Sequence, residues 1–301
     1  MFVDYFSLFT PTVEADIGLR DRLRAKMGLE PSLERREAFK LGEIHYEHYP
    51  SFAESKSPLV VFLPGIGTYS EYYAPLLDKL SRRGFDVVSM DYPGHGYSSG
   101  VRGLYTLDDI ADGVSEVIEY LSDSKTRPVY LFGYSIGSLL AMAVAEKDAR
   151  ISGVICQTLL MPEVAPDLMH SLGWQWIGMS SPFFPLARVP LKSILDYDAL
   201  IASHPAADEM GADPLAVFDY PLKTLNSIFS WRSARSDSKR QLAGLLIQGE
   251  KDEVLSLEYA HRVIEQQSHA LTLAVVSGGH MQPWENPDGL VNLVSEWIAQ
   301  Q

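Results

Sequence analysis

Cysteine and positive charge are both scarce in this sequence. Cys156 is the single cysteine among 301 residues, so one chain cannot form an internal disulfide, and nothing calls for an oxidising compartment. Because Cys156 lies in an apolar run, we expect a buried thiol. Asp and Glu number 39 against 25 Lys and Arg, which gives a formal net charge of −14. A negative field repels phosphate groups, so nucleic acids and anionic membranes are not expected as partners, and an uncharged small-molecule substrate is favoured.

Long apolar stretches and a recognisable leader are missing as well. No apolar run reaches the roughly 18 residues that a spanning helix needs, so we expect no integral membrane segment. Asp4 interrupts the apolar start and Glu14 follows, without the basic region and long apolar core of a signal peptide. The sequence also contains no internal repeat. We therefore expect a cytoplasmic protein whose length allows one large domain with an insertion.

What the sequence contains is a regular alternation of short apolar runs and amphipathic segments. Leu59–Leu63 is continuously apolar, as expected of a strand buried on both faces, and apolar residues recur at helical spacing over 70–83. The same patterns predict strands at 36–40, 43–49, 85–90, 129–132, 151–156, 242–248 and 271–276, and helices at 107–121, 136–147, 257–267 and 287–299. This alternation indicates an α/β fold, in which a mostly parallel sheet has helices on both faces.

The alternation stops after Thr158 and resumes at Leu242. Residues 159–240 are rich in Pro, Met, Trp and Phe and show no clear strand. We expect residues 1–158 and 241–301 to form the core domain, with 159–240 inserted as a cap or lid over the site. A helical decoration away from the site is the alternative.

The pattern G-x-S-x-G occurs twice, centred on Ser98 and on Ser135. Ser135 directly follows a predicted strand and precedes a predicted helix, which is the elbow that holds a nucleophilic serine above a sheet. The helix N-terminus also favours the negative charge that develops during acyl transfer. Ser98 lies in a turn-rich loop and has neither element. Ser135 is thus the predicted nucleophile, with an ordinary helix N-cap as its alternative role.

A serine hydroxyl needs a base that takes its proton. His280 follows the last predicted strand, at the sheet edge where ligands bind in open α/β folds. His95 also follows a strand, but it precedes Ser135, whereas this architecture has the order serine, acid, histidine. The other six of the eight histidines lie on edge strands, within 159–240 or on helix surfaces.

The acid that orients the histidine should also follow a strand. Glu250, Asp252 and Glu253 all come directly after the strand predicted at 242–248. The strand–Gly–x–x–Asp spacing places Asp252 in the loop at the strand end. Asp252 is therefore the predicted acid, and the two glutamates are the alternatives.

Acyl transfer also requires backbone N–H donors for the tetrahedral oxyanion. The amide of Ile136, next to the nucleophile, is one candidate. The other should come from the loop after Leu59–Leu63, where Ile66 is the first choice and Gly67 the second. A plain tight turn is the alternative. A dinucleotide-binding loop is disfavoured because Ser70 stands where a third glycine belongs.

These motifs together resemble the α/β-hydrolase superfamily, over about residues 36 to 300. Within it the chain is similar to the group of monoacylglycerol lipases, lysophospholipases and serine aminopeptidase-like enzymes. The matching stretches are 64–67, 91–98, 133–137, 249–252 and 279–280, with 212–215 inside the insertion. The resemblance implies an eight-stranded sheet whose second strand is antiparallel. The family usually has His-Gly where this chain has Pro64 and Gly65, but that histidine is not part of the triad.

The predicted function is hydrolysis of a carboxylic ester, monoacylglycerol-like or another medium-chain acyl ester, through an acyl-enzyme intermediate. No cofactor or metal is expected. Apolar side chains in 159–240 favour an acyl pocket, while packing as the segment's own core is the alternative. The predicted substrate contacts are Gly65, Trp174, Trp176, Phe183 and Phe184. A peptidase, thioesterase, C–C hydrolase or perhydrolase would use the same triad, and a non-catalytic binding protein on this fold is a further alternative.

Overall fold

An eight-stranded sheet forms the centre of the protein. The computed structural model describes residues 17–52, 57–121, 127–193, 195–202, 204–233 and 241–301. The strands of the sheet are β1 (Glu37–Leu41), β2 (Ile44–Tyr49), β3 (Leu59–Leu63), β4 (Asp86–Met90), β5 (Val129–Tyr134), β6 (Ile151–Gln157), β9 (Ala243–Gly249) and β10 (Ala270–Val276). Two further strands, β7 (Arg188–Pro190) and β8 (Asp219–Pro221), form a separate antiparallel ribbon.

The order across the large sheet is β1-β2-β4-β3-β5-β6-β9-β10. β2 is antiparallel to both of its neighbours, and the remaining pairs are parallel. The mostly parallel, eight-stranded sheet with an antiparallel second strand is therefore confirmed. In the parallel part of the sheet, the carboxyl ends of the strands meet at one edge, where the loops after β3, β5, β9 and β10 come together.

Helices cover both faces of this sheet. The helices of the described residues are α1 (Ile17–Met27), α2 (Glu30–Leu33), α3 (Ala74–Arg82), α4 (Leu107–Leu121), α5 (Ile136–Lys147), α6 (Leu168–Ser180), α7 (Tyr197–Ile201), α8 (Ala207–Ala212), α9 (Leu222–Phe229), α10 (Leu257–Gln266), α11 (Gln282–Glu285) and α12 (Pro287–Ile298). Successive residues of a strand point to opposite faces. In β3, Val61 accordingly packs in the core with α4, α5 and α10, whereas Val60 and Phe62 pack in the core with α3 and α12. β3 is buried along its whole length, as its uninterrupted apolar run predicts.

Two departures from the predicted elements have local causes. The helix predicted over 70–83 is divided into a 3-10 turn, Ser70–Tyr73, and α3. Pro75 lies in the first turn of α3, where its missing N–H is tolerated, and it could not continue a longer helix through that point. β7 and β8 occur where no strand was expected, because each has three residues and ends in proline.

The segment 159–240 lies between β6 and β9, which are hydrogen-bonded neighbours in the sheet. Its described part contains α6 to α9 and the β7–β8 ribbon. Residues 234–240, which include its predicted end, lie outside the described residues, as do Asp4 and Glu14. Over the described ranges, no helix combines the length and the apolar character that crossing a membrane requires.

Cys156 lies on β6 and is buried, as expected. Its Sγ is 3.9 Å from the carbonyl oxygen of Ser138 in α5. Burial raises the pKa of this thiol to about 12.

Candidate active site

Ser135 lies on a sharp turn between β5 and α5. Its backbone angles are φ 53° and ψ −123°, and among the described residues it is the one non-glycine residue with positive φ. Such angles cost about 1–3 kcal/mol, so the surrounding structure must hold the residue in place. The Ser135 amide donates to the carbonyl of Gln157 at 2.6 Å, and the Ser138 amide donates to the Ser135 carbonyl at 2.9 Å. The Ser135 side chain makes no capping bond to α5, so the N-cap alternative is not what the structure shows.

The two glycines of this motif allow close backbone approach. A Cβ atom on Gly133 would lie 2.2 Å from the carbonyl oxygen of Gly137. A Cβ on Gly137 would lie 2.1 Å from the carbonyl oxygen of Leu63 in β3. Both distances are far below van der Waals contact. Any larger residue would therefore move α5 away from the strands that it packs on.

Ser98, in the second copy of the motif, is fully engaged in the backbone around it. The side chain is buried, its hydroxyl donates to the carbonyl of Asp91 at 2.7 Å, and it accepts from the amide of His45 at 2.8 Å. These bonds join the loop after β4 to β2. Ser98 thus has a structural role.

His280 and Asp252 are brought together by the ends of two neighbouring parallel strands. Asp252 follows β9 and His280 follows β10. Nδ1 of His280 lies 2.9 Å from Oδ2 of Asp252, and the two side chains are buried. The other oxygen of Asp252, Oδ1, accepts from the amides of Val254 and Leu255, each at 2.9 Å. Because Nδ1 faces a carboxylate, it carries the proton, and Nε2 is the nitrogen left to act as a base.

The two alternative acids have other positions. Glu250 is exposed, and its amide donates to the carbonyl of Val276 at 2.9 Å. Glu253 is exposed as well, and Oε2 of its carboxylate accepts from the backbone amide of His280 at 3.2 Å. Neither glutamate is hydrogen-bonded to the imidazole ring within the described residues. Asp252 is the acid that contacts the ring.

His95, the other histidine in a loop after a strand, follows β4 and is buried. Its Nδ1 lies 3.1 Å from the carbonyl of Pro93, and its Nε2 lies 2.9 Å from the hydroxyl of Tyr220. Burial lowers the pKa of His95 to about 3, so the ring is neutral at physiological pH. Since Pro93 offers only an acceptor, Nδ1 carries the proton and Nε2 accepts from Tyr220.

Ser135 borders two adjoining cavities. The smaller, of about 20 Å³, has Ser135, Ile66 and His280 in its lining, so the predicted nucleophile and the predicted base border the same space. The larger, of about 250 Å³, contains Ser135, Ile66 and Ile136 in its lining. Its other lining residues are Leu160, His170, Trp174, Leu191, Leu195, Asp196, Phe229, Glu253, Val254 and Leu255. Apart from Trp174, these were not predicted as substrate contacts, because a cavity formed by residues from separate elements leaves no local signal in the sequence.

Ile66 and Ile136, whose amides are the predicted oxyanion donors, both line the larger cavity. Within the described residues, the amides of Ile66 and Ile136 donate no hydrogen bond to another backbone group. Ile136 is the first residue of α5, where an N–H has no partner inside the helix. The amide of Gly67, the second choice in its loop, already donates to the hydroxyl of Tyr220 at 2.8 Å. Ile66 is therefore the donor that this loop leaves free.

The predicted substrate contacts on α6 divide into two groups. Trp174 lines the larger cavity and stacks on Phe229, with the ring centroids 5.2 Å apart. Trp176, two residues later, is 53% exposed, because two helical residues are about 200° apart around the axis. Phe183 and Phe184 follow α6 and are 78% and 65% exposed. Trp176, Phe183 and Phe184 are not in the lining of either cavity, and their contact with a substrate stays a prediction.

Gly65, the remaining predicted contact, is a buried residue of the loop after β3, and it does not line either cavity. Its amide donates to the hydroxyl of Tyr73 at 3.0 Å. A Cβ at this position would lie 2.8 Å from the ring of Tyr134. Gly65 is thus required for backbone packing. No group of three or more His, Cys, Asp or Glu side chains suited to a metal occurs in the described part of the chain.

Comparisons with known proteins agree with this architecture. Residues 54–281 match the family described as Serine aminopeptidase, S33. Monoglyceride lipase of Rattus norvegicus is 24% identical over 261 residues, which cover 81% of this chain and 82% of that protein.

Solved structures give the same result for the fold. The crystal structure of monoacylglycerol lipase from Paleococcus ferrophilus has a TM-score of 0.71 at 24% identity, covering 86% of this chain and 99% of that one. A soluble variant of monoglyceride lipase from Saccharomyces cerevisiae has a TM-score of 0.68 at 16% identity, covering 88% and 94%. The family match, over most of the chain, and the eight-stranded sheet lead to one conclusion. The chain belongs to the serine aminopeptidase (S33) family of α/β hydrolases and is similar to its monoglyceride lipase group.

Proposed function

We propose that the protein is a serine hydrolase that cleaves neutral carboxylic esters, monoacylglycerol-like or of another medium-chain acyl type. The observation that carries this proposal is the position of Ser135. It lies on a turn with positive φ and borders one cavity with His280, whose Nδ1 is 2.9 Å from Asp252. A serine on such an elbow, next to an oriented histidine, has the arrangement needed for nucleophilic acyl transfer.

Each group then has a defined task. The Ser135 hydroxyl attacks the ester carbonyl carbon, and Nε2 of His280 takes its proton. Asp252 holds the ring in this tautomer and stabilises the imidazolium that forms. The carbonyl oxygen becomes an oxyanion, which accepts from the amides of Ile66 and Ile136. The imidazolium protonates the leaving alcohol, and water activated by the same histidine then releases the acid from the acyl-enzyme.

The lining of the larger cavity favours an uncharged acyl chain as its occupant. Its lining includes the apolar side chains of Leu160, Trp174 and Phe229 beside Ser135. Asp196 and Glu253 also line it, and no Lys or Arg does among the described residues. These two acidic residues disfavour an anionic substrate, in line with the net charge of the chain. We therefore assign this cavity to the acyl group.

We further propose that segment 159–240 is a cap over the site. Leu160, Trp174 and Phe229 belong to it, and all three line the cavity next to Ser135. A cap of this kind would set the preferred acyl length and exclude bulk water from the acyl-enzyme.

A series of p-nitrophenyl esters of increasing chain length tests the proposal. We expect kcat/KM to rise by up to roughly fourfold per methylene, since each buried CH₂ contributes about 0.8 kcal/mol. The rise should stop where the cavity ends. The Ser135→Ala variant measures background hydrolysis. Equal kcat/KM for acetate and octanoate esters would contradict the acyl-cavity assignment.

The name of the family supports a second candidate, aminopeptidase activity, on the same triad. Aminoacyl arylamides tested beside the esters distinguish the two. A higher kcat/KM for the arylamides would replace the ester proposal with a peptidase.

A further inference from the structure

The loop that carries Ile66 is held by buried tyrosine hydroxyl groups. The hydroxyl of Tyr92 donates to the carbonyl of Pro64 at 2.6 Å, and that of Tyr73 accepts from the amide of Gly65 at 3.0 Å. Burial raises the pKa of both tyrosines, so both hydroxyls stay protonated. Each bond occupies a backbone group of the loop that would otherwise need water. The amide of Ile66, a residue that lines both cavities, donates to no backbone group of the described residues.

Gly67, the next residue, is held from the side of segment 159–240. Its amide donates to the hydroxyl of Tyr220 at 2.8 Å, and its carbonyl accepts from the amide of Val217 at 2.9 Å. Gly67 has φ 78°, and a Cβ there would lie 2.9 Å from the carbonyl oxygen of Val217. The two polar backbone groups of Gly67 therefore both depend on residues that lie far away in the sequence. Tyr220 itself is on β8 and is buried.

Tyr220 is oriented in turn by His95. Since Nε2 of the neutral His95 ring is an acceptor, the hydroxyl of Tyr220 donates to it, at 2.9 Å. The oxygen of the same hydroxyl is then left to accept from Gly67. If His95 were absent, the hydroxyl could rotate and turn its proton toward the Gly67 amide, which would repel it. The chain His95–Tyr220–Gly67 is thus directional.

We propose that Tyr220 is a positioning residue for catalysis, which acts with His95 to keep the Gly67 amide away from the cavity so that the Ile66 amide alone completes the oxyanion site. This inference rests on the proposed function. The Ile66–Gly67 peptide is planar, so the bond from its N–H to Tyr220 fixes the Gly67 N–H together with the Ile66 carbonyl, which follows the Ile66 amide in the chain. Without that bond, the peptide is free to rotate, and the loop no longer presents one donor at one position. Because Tyr220 belongs to segment 159–240, the oxyanion site and the proposed cap share this contact.

The test replaces Tyr220 by Phe, which keeps the ring and removes the hydroxyl. A missing oxyanion donor costs about 100- to 1,000-fold in kcat, so a mispositioned one should cost roughly 10- to 100-fold. KM should change by less than about threefold, because the donor acts on the oxyanion rather than on the bound ester. Binding of a trifluoromethyl ketone, which forms an oxyanion with the serine, should weaken by the same factor as kcat/KM.

Tyr105→Phe is the matched control. Tyr105 is a buried tyrosine whose ring centroid is 5.5 Å from that of His95, and within the described residues its hydroxyl makes no hydrogen bond to the loop. This variant should keep the wild-type kcat. His95→Gln supplies an acceptor for Tyr220 and should keep most of the activity, whereas His95→Phe should fall to the level of Tyr220→Phe.

The outcomes separate this inference from the proposed function. If the wild-type protein hydrolyses esters and Tyr220→Phe has an unchanged kcat, the inference is wrong while the proposed function stands. The inference is equally wrong if Tyr220→Phe and Tyr105→Phe lose activity alike, in proportion to folded protein measured by circular dichroism. A wild-type protein that neither hydrolyses esters nor reacts with a fluorophosphonate at Ser135 overturns both.

Discussion

Replacing Asp252 by Asn should nearly abolish turnover, for a reason that is visible in the hydrogen bonds around it. Oδ1 of Asp252 accepts from the amides of Val254 and Leu255, and Oδ2 faces Nδ1 of His280. An asparagine must keep its oxygen on the two N–H donors, so its NH₂ group faces His280. Nδ1 is then forced to accept a hydrogen bond, which places the ring proton on Nε2. In that tautomer His280 cannot take the proton of Ser135.

The size of the effect follows from the same contacts. Turning the asparagine over would leave the amides of Val254 and Leu255 without an acceptor, at about 1–3 kcal/mol each. The two together make roughly 2–6 kcal/mol, which is about 30-fold to 20,000-fold in the population of the active tautomer. The variant also lacks the negative charge that stabilises the imidazolium. We therefore expect kcat to fall by roughly 10³–10⁴-fold.

The assay is steady-state hydrolysis of a p-nitrophenyl ester, with thermal melting to show that the variant is folded. Glu250→Gln and Glu253→Gln are the matched controls, because both are acids of the same loop without a hydrogen bond to the ring among the described residues. Each should retain kcat within about tenfold, since neither orients the histidine. A folded Asp252→Asn that keeps more than a tenth of the wild-type kcat would refute the reasoning. So would a Glu250→Gln variant with the larger loss.

Three further predictions concern Ser135, on its turn with positive φ, and the buried imidazole of His95. Ser135→Ala should lose esterase activity and fluorophosphonate labelling, whereas Ser98→Ala should remain labelled at Ser135; labelling at Ser98, found by peptide mass spectrometry, would reverse the assignment. Ser135→Gly should have a free energy of unfolding about 1 kcal/mol or more above that of Ser135→Ala, because glycine accepts φ 53° without strain; equal denaturation midpoints would contradict this. The pKa of His95 is about 3 when folded and about 6.5 when unfolded, so the unfolded chain binds more protons between these values. From this group alone, the free energy of unfolding should therefore fall by up to about 1.4 kcal/mol per pH unit below pH 6.5. In urea titrations at pH 7.5 and 5.0, the free energy of unfolding of His95→Gln should depend less on pH than that of the wild type. An equal change in both proteins between the two pH values would argue against this.

The sheet and the pair of catalytic candidates could be predicted because each has a local signature in the sequence. β3 and α5 are marked by runs and spacings that lie within a few residues of one another. Asp252 and His280 could be paired because parallel strands end at one edge, so their distance in sequence did not matter. The two side chains do lie next to each other, with Nδ1 of His280 at 2.9 Å from Oδ2 of Asp252, and their catalytic roles stay proposals.

What could not be predicted depends on contacts between distant parts of the chain. Nothing near Tyr220 in the sequence indicates that its hydroxyl meets Gly67 and His95. Apolar side chains are spread around most of the circumference of α6, so periodicity could not tell Trp174 at the cavity from Trp176 in solvent. β7 and β8 are too short to produce an alternating pattern, and they form because they pair with each other.

The single buried cysteine makes this chain well suited to site-specific spectroscopic labelling. The Cys156 thiol is 1% exposed and its pKa is about 12, so almost no thiolate is present near neutral pH to react with a maleimide. Two cysteines introduced at exposed positions would then be the only reactive thiols of the folded protein. Tyr120→Cys in α4 and Trp176→Cys in α6, both at exposed sites, would carry a donor–acceptor pair with no background from the native cysteine. The distance distribution between them, with and without an acyl inhibitor on Ser135, would report whether the proposed cap moves relative to the sheet when the site is occupied.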